Sequence, residues 1–208
     1  MFIFISQPAY SAITAEEIIA KIQKAYDSAE DYKAEFYQEN MITSIKRVKK
    51  ALGVAYFKKN GRMYWEYKEP EKQKFISNGK MVWLYQPEIN QVQQFEFNSL
   101  NLSNTEKSFL DGIGSLISDF DAEYKGEEIE GNMVLILTPK GDGVGFKSMR
   151  MLINKETYKI VSTTTTDVYG NLNTITFRKV EFNTGISDDF FDFKVPEGVH
   201  IVTPPGAK

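Results

Sequence analysis

The stretch Arg62–Tyr85, RMYWEYKEPEKQKFISNGKMVWLY, decides how the chain is read. It places both tryptophans, Trp65 and Trp83, on short alternating segments separated by a proline corner at Pro70 and an Asn78-Gly79 turn. Met63, Trp65 and Tyr67 share one parity and Arg62, Tyr64 and Glu66 the other, so a side-chain period of two sends the two sets to opposite faces. The pattern is that of a meandering antiparallel sheet with one strongly aromatic face. Such a face needs a cover, whether a second sheet, a helix or an apolar ligand.

The alternation extends outward in both directions. Upstream, YKAEFYQE puts Tyr32, Ala34, Phe36 and Gln38 on one face, and further strands are predicted near 49–58, 62–67, 72–77, 80–85 and 91–97. Their turns are marked by Asn60-Gly61, Asn78-Gly79 and Gln86-Pro87. Before them, Thr14 and Glu17 have the spacing of a capping box, and Ile18, Ile22 and Ala25, flanked by Ile19 and Tyr26, form a helical stripe that must lie against the sheet. Downstream, SNTEKSFLDGIGSLISDF (103–120) changes to helical spacing, with Phe109, Ile113, Leu116, Ile117 and Phe120 on one side. Strands resume at 133–139, 147–154, 159–167 and 171–183, followed by a Ser187-capped turn and FDFKVPEGVHIV. About ten strands and two separate helices imply one large curved sheet covered on its concave side by helices.

At 208 residues the chain fits a single domain, and 42% hydrophobic with 13% aromatic residues excludes disorder. A net charge of -3 argues against general nucleic-acid binding, yet the charge is uneven: residues 46–74 carry ten Lys/Arg against three Glu, a local +7 that leaves -10 elsewhere. The absence of cysteine removes disulfides, thiolate metal sites and cysteine-linked lipid anchors. The opening MFIFISQPAYSA has an apolar run too short to span a bilayer, followed by Ala9-Tyr10-Ser11, a small-x-small cleavage pattern. Residues 1–11 are therefore read as a signal-peptide remnant and 12–208 as the domain, the alternative being an N-terminal strand.

One histidine, His200, leaves no material for a histidine triad or a His-rich metal site, and no cofactor is expected. The GDGVG loop at 141–145 has too few carboxylates for a calcium cage and no following helix for a phosphate loop. Asp188-Asp189 reads as first-turn helix charge. Nothing in the spacing recommends an enzyme.

Taken in order, Tyr32-x-Ala34-x-Phe36-x-Gln38, Gly53-x-x-Tyr56-Phe57-Lys58-Lys59-Asn60-Gly61-Arg62-Met63-x-Trp65-Glu66-Tyr67, Pro70, Asn78-Gly79-Lys80, Val82-Trp83-x-Tyr85-x-Pro87 and Gln91-Val92 resemble the periplasmic outer-membrane lipoprotein carrier family, LolA. The ending Phe193-x-x-Pro196-x-Gly198-Val199 is similar to that family's closing strand. The resemblance implies an incomplete antiparallel β-barrel of ten to eleven strands with a helical lid. It further implies a monomeric periplasmic chaperone that takes acylated lipoproteins from an inner-membrane ABC transporter to an outer-membrane acceptor. A periplasmic lipid- or lipoprotein-sensing adaptor on the same scaffold is the alternative, and an unrelated β-barrel lipid or pigment binder a third reading.

A carrier needs an adaptable apolar cavity, because each buried methylene gains about 0.8 kcal/mol and acyl chains do not cross water unescorted. Aromatic and methionine side chains suit it. The expected lining is Phe36, Met63, Trp65, Met81, Trp83, Met149 and Met151 from the sheet and Phe109, Ile113 and Leu116 from the lid. In the family a basic residue six positions before the tryptophan ties sheet to lid; that position is Lys59, which reads equally as a solvated turn lysine. Lys46, Arg47, Lys49 and Lys50 read either as a solvated face or as a docking surface for an acidic partner or anionic lipid headgroups.

Overall fold

The structure, a computed structural model, describes residues 13–97, 120–141 and 146–202. Helix α1 (Ala15–Asp27) starts where the sequence says it should: the Thr14 hydroxyl accepts from the Glu17 amide (3.2 Å) and the Glu17 carboxylate from the Thr14 amide (3.1 Å), satisfying two otherwise orphaned donors. Ile18, Ile19 and Ile22 on its apolar side are almost wholly buried, each contributing about 2 kcal/mol of transfer free energy.

The strands are β1 (Asp31–Ile42), β2 (Arg47–Lys58), β3 (Arg62–Glu69), β4 (Gln73–Asn78), β5 (Met81–Gln86), β6 (Gln91–Glu96), β7 (Phe120–Glu123), β8 (Glu128–Ile129), β9 (Asn132–Pro139), β10 (Phe146–Asn154), β11 (Ile160–Asp167), β12 (Leu172–Phe182) and β13 (His200–Val202). They form one open sheet in the order β13-β6-β5-β4-β3-β2-β1-β12-β11-β10-β9-β7, with β8 beside β9. Among the described residues the expected ten to eleven strands become thirteen, because β7, β8 and β13 are too short to show a period. All pairs are antiparallel except β13 with β6, which is parallel. Phe120, expected on the second helix, instead opens β7 and is buried there; the rest of 103–119 lies outside the described residues.

Register assigns the faces. Tyr32 pairs with Phe57, Phe57 with Met63, Ala55 with Trp65, and Trp65 with Phe75, so these residues share the face that meets α1, here called inner. Under α1 on the other half of the sheet, Leu135, Leu137, Met149, Met151 and Ile153 pack with the three isoleucines as one core.

The outer face has its own core. After β12 the chain runs as an arm (183–199) across β1–β6 and ends in β13. Phe193, Val195 and Val199 of this arm pack on Ile76, Trp83 and Val92, and Phe190 sits against the rings of Tyr56 and Tyr64, both 4.9 Å away. Ion pairs add to this: Asp188 meets Lys58 at 2.6 Å and Arg62 at 3.3 Å, and the Asn78 amide donates to Asp192 at 2.9 Å. Asp188 stands with Asp189 in the first turn of a 3-10 helix, as expected, and in addition clamps two strands. Ser187 precedes the 3-10 turn Asp188–Phe191 without donating or accepting a side-chain cap bond.

Candidate functional site

The inner face carries an apolar cavity where the two halves of the sheet meet at β1 and β12. Its lining is Tyr26 of α1 with Tyr32, Ala34, Phe57, Trp65, Ile160, Thr163, Ile175, Phe177 and Val180, around a volume of about 70 Å³. The walls are aromatic rings in mutual contact. Tyr32 stacks on Phe57 with centroids 4.6 Å apart, Phe57 meets Trp65 edge-on at 5.4 Å, and Tyr26 meets Tyr32 at 5.3 Å and Phe182 at 5.2 Å.

Each wall has a local cause. The Tyr26 hydroxyl accepts from the Ile160 amide at 3.0 Å, which orients the ring over the sheet. Burial pushes its ionisation up to about 12, against the pull of that amide, and burial beside Tyr26 pushes Tyr32 higher still. Both phenols are therefore neutral, and the cavity holds no charge of its own. Phe36 packs edge-on against Trp65 and Tyr67, at 4.9 Å from each. It does so by lying over Gly53, where an added Cβ would come within 2.8 Å of the Phe36 ring and collide with the Glu66 carbonyl oxygen.

Among the sequence-derived candidates, Trp65 lines the cavity, and Phe36 and Met63 share its face, each nearly inaccessible to solvent. Met149 and Met151 are also on the inner side but lie in the core beneath α1. Met81 and Trp83 require correction. Trp83 pairs with Ile76, and Ile76 with Tyr64, whose parity is opposite to that of Trp65; both residues therefore face outward, packed with Phe193 and Val199. Phe109, Ile113 and Leu116 lie outside the described residues.

Lys59 sits in the turn itself, between Lys58 and the left-handed pair Asn60 (φ 65°) and Gly61 (φ 70°). Its ammonium meets the Glu30 carboxylate at 2.7 Å, just after α1, with both side chains largely solvated. Lys46, Arg47, Lys49 and Lys50 are exposed at the β1–β2 hairpin tip, where Lys50 also approaches Glu39 at 3.4 Å.

Sequence reasoning missed Tyr26, Tyr32, Ala34, Phe57, Ile160, Thr163, Ile175, Phe177 and Val180 as lining. Tyr26, Tyr32 and Ala34 had a visible signal, since Tyr26 flanks the helical stripe and the other two share the face assigned to Phe36. Val180 had none, because a bulge opposite Lys33–Glu35 shifts the parity of β12.

The family model for "Outer membrane lipoprotein carrier protein LolA" matches residues 27–194. The chain belongs to this family. The outer-membrane lipoprotein carrier protein of Hahella chejuensis is 27% identical over 176 residues, covering 84% of this chain and 83% of that protein. The protein of the same name from Azotobacter vinelandii is 29% identical over 188 residues, covering 90% and 88%. Among solved structures, an uncharacterized conserved protein from Thermus thermophilus shares the fold with a TM-score of 0.60 at 16% identity, covering 91% of this chain and 98% of that one. The LolA likeness therefore spans β1 to β12, the strands that build the cavity, together with most of the arm. Among the described residues no helix is long and apolar enough to cross a membrane.

Proposed function

We propose that this chain is a periplasmic carrier that holds the acyl chains of outer-membrane lipoproteins between α1 and the inner face, without chemistry of its own. In this reading it works as a monomer, receives cargo from an inner-membrane ABC transporter and yields it to an outer-membrane acceptor. The observation that carries the reading is the ring-walled cavity at the junction of the two sheet halves. Its volume of about 70 Å³ is under half of the roughly 150 Å³ that admits a benzene molecule. An acyl chain must therefore part the Tyr26, Tyr32 and Phe57 rings. Each methylene that enters gains about 0.8 kcal/mol, and the lost ring contacts, each worth about 1 kcal/mol, offset part of it. Affinity is thereby held below what the buried area alone would give, which suits a protein that must release its load.

The test uses a fluorescent fatty acyl probe displaced by a triacylated peptide. Saturable binding is expected with a change in tryptophan emission that Trp65→Phe abolishes and Trp83→Phe retains, because Trp83 lies on the other side of the sheet. Phe57→Glu should remove binding. No saturable binding at roughly micromolar probe, or a response that follows Trp83, would sink the reading.

The latch assigned to Lys59 is carried in a narrower form: its pair with Glu30 holds the segment after α1 against the β2–β3 turn. A solvated pair is worth less than about 1 kcal/mol, so Lys59→Leu should change probe affinity by less than about fivefold. A larger change in the titration would show that Lys59 has a further partner.

A further inference from the structure

Two hairpin tips, β1–β2 and β11–β12, are fastened together. At the β1–β2 tip the Thr43 hydroxyl donates to the Gly170 carbonyl at 2.7 Å and the Thr43 amide to Asn171 Oδ1 at 3.1 Å, both in the β11–β12 turn. That turn is itself built around Asp167, whose carboxylate accepts from the Tyr169 and Asn171 amides and the Asn171 side chain, each at 2.8 Å.

The composite tip displays large apolar side chains to solvent. Tyr169 is 86% exposed, Ile45 63%, Val168 50% and Val48 45%. Interleaved with them are Lys46, Arg47, Lys49 and Lys50, all exposed. The acidic groups facing this cluster are Glu39, paired with Lys50, and Asp167, occupied by its own turn. From Ala51 back to Arg47, β2 runs past the end of its pairing with β3, which stops at Leu52 and Glu69, so this end of the hairpin projects free of that neighbouring strand. Lysines alone at a sheet edge would serve to prevent edge-to-edge pairing. Four exposed apolar residues set among them do the opposite, since in water they invite contact.

We propose that the joined tips are a membrane-docking device, seating the chain on a bilayer that carries anionic headgroups. The four basic side chains meet lipid phosphates while Ile45, Val48, Val168 and Tyr169 enter the interfacial layer, where an aromatic ring with a polar end and short aliphatics are favoured. The cross-links through Thr43 and Asp167 hold both tips at one level, so the ordering cost of the surface is already met in the folded chain. The inner face between tip and cavity carries Gln38, Asn40, Asn173 and Thr165, a polar stretch that separates the two functions. The proposal therefore stands apart from cargo binding.

The experiment is co-sedimentation of the full chain with vesicles of phosphatidylcholine alone and of phosphatidylcholine mixed with phosphatidylglycerol. Binding is expected to the mixed vesicles and to weaken by about tenfold or more in Arg47→Glu/Lys49→Glu, on the scale set for basic residues at an anionic surface. A comparable loss is expected in Ile45→Ser/Tyr169→Ser. Both variants should keep wild-type unfolding midpoints and wild-type acyl-probe binding, since neither pair touches the core or the cavity. Equal binding to neutral and mixed vesicles, no binding to either, or mixed-vesicle binding that both variants retain would overturn the proposal. So would variants that bind vesicles normally yet fail to exchange cargo with transporter-bearing membranes, because the tip would then dock on protein.

Discussion

Replacing Asp31 by asparagine is expected to lower the stability of the fold by about 3 kcal/mol and to flatten its acid sensitivity. The Asp31 carboxylate, 4% exposed, accepts from the Thr184 amide and hydroxyl, both at 2.7 Å, and from the Gly185 and Ile186 amides at 3.0 and 3.1 Å. Hydrogen bonds to a charged acceptor are the strong kind, and an asparagine would aim an N–H at donors. Burial disfavours the charged form here, but the bonds from Thr184, Ile186 and Gly185 prevail and hold the pKa below the ordinary aspartate value. Because the folded chain resists the proton more than the unfolded chain does, Asp31 contributes its full stabilisation above the unfolded value, near about 3.9. That contribution disappears as pH falls through the lower folded value. Urea titrations from neutral pH down through the acid range should show the wild type losing stability in that window and Asp31→Asn losing less. Parallel curves for the two proteins would remove Asp31 from the account of acid unfolding.

Gly53→Val is expected to cost about 3 kcal/mol or more, the range of severe overpacking. The Cβ would strike a backbone carbonyl, that of Glu66, which belongs to β3 and has no freedom to retreat without breaking its ladder. It would also press on the Phe36 ring, which supports Trp65. Denaturant unfolding of Gly53→Ala with and without Phe36→Ala separates the two contacts. If the carbonyl is the obstacle, deleting the ring leaves the penalty of Gly53→Ala nearly intact; full relief would assign the glycine to the ring alone.

Within a strand, the sequence was a sound guide. Met63, Trp65 and Tyr67 do share a face, as do Tyr32, Ala34 and Phe36, because a pleat leaves no other choice. Between strands it was not, because the number of residues in each connection sets which parity meets which. Trp65 faces Phe75 and then Leu84, which leaves Trp83 on the opposite side. Nothing local betrays this, since Trp83 is buried just as inner residues are; its cover comes from Phe193, far along the chain. The parallel pairing of β13 with β6 was unreadable for the same reason, as it joins residues more than a hundred positions apart.

The 183–199 arm gives the two sides of the cavity different mechanical characters. From its anchorage at Asp31 it is riveted in turn to β2, β3 and β4 and ends as an added strand on β6, so the wall from β1 to β6 is strapped from outside. The wall from β12 to β9 is propped from inside by α1. In the proposed carrier a guest would press against a plate backed by its strap and a helix that, among the described residues, has no layer packed behind it. Helix α1 is tied to β11 through Tyr26 and, just beyond its end, to the β2–β3 turn by the light pairing of Glu30 with Lys59. In the proposed carrier, capacity would grow by lifting the prop, while the strapped plate would keep its curvature.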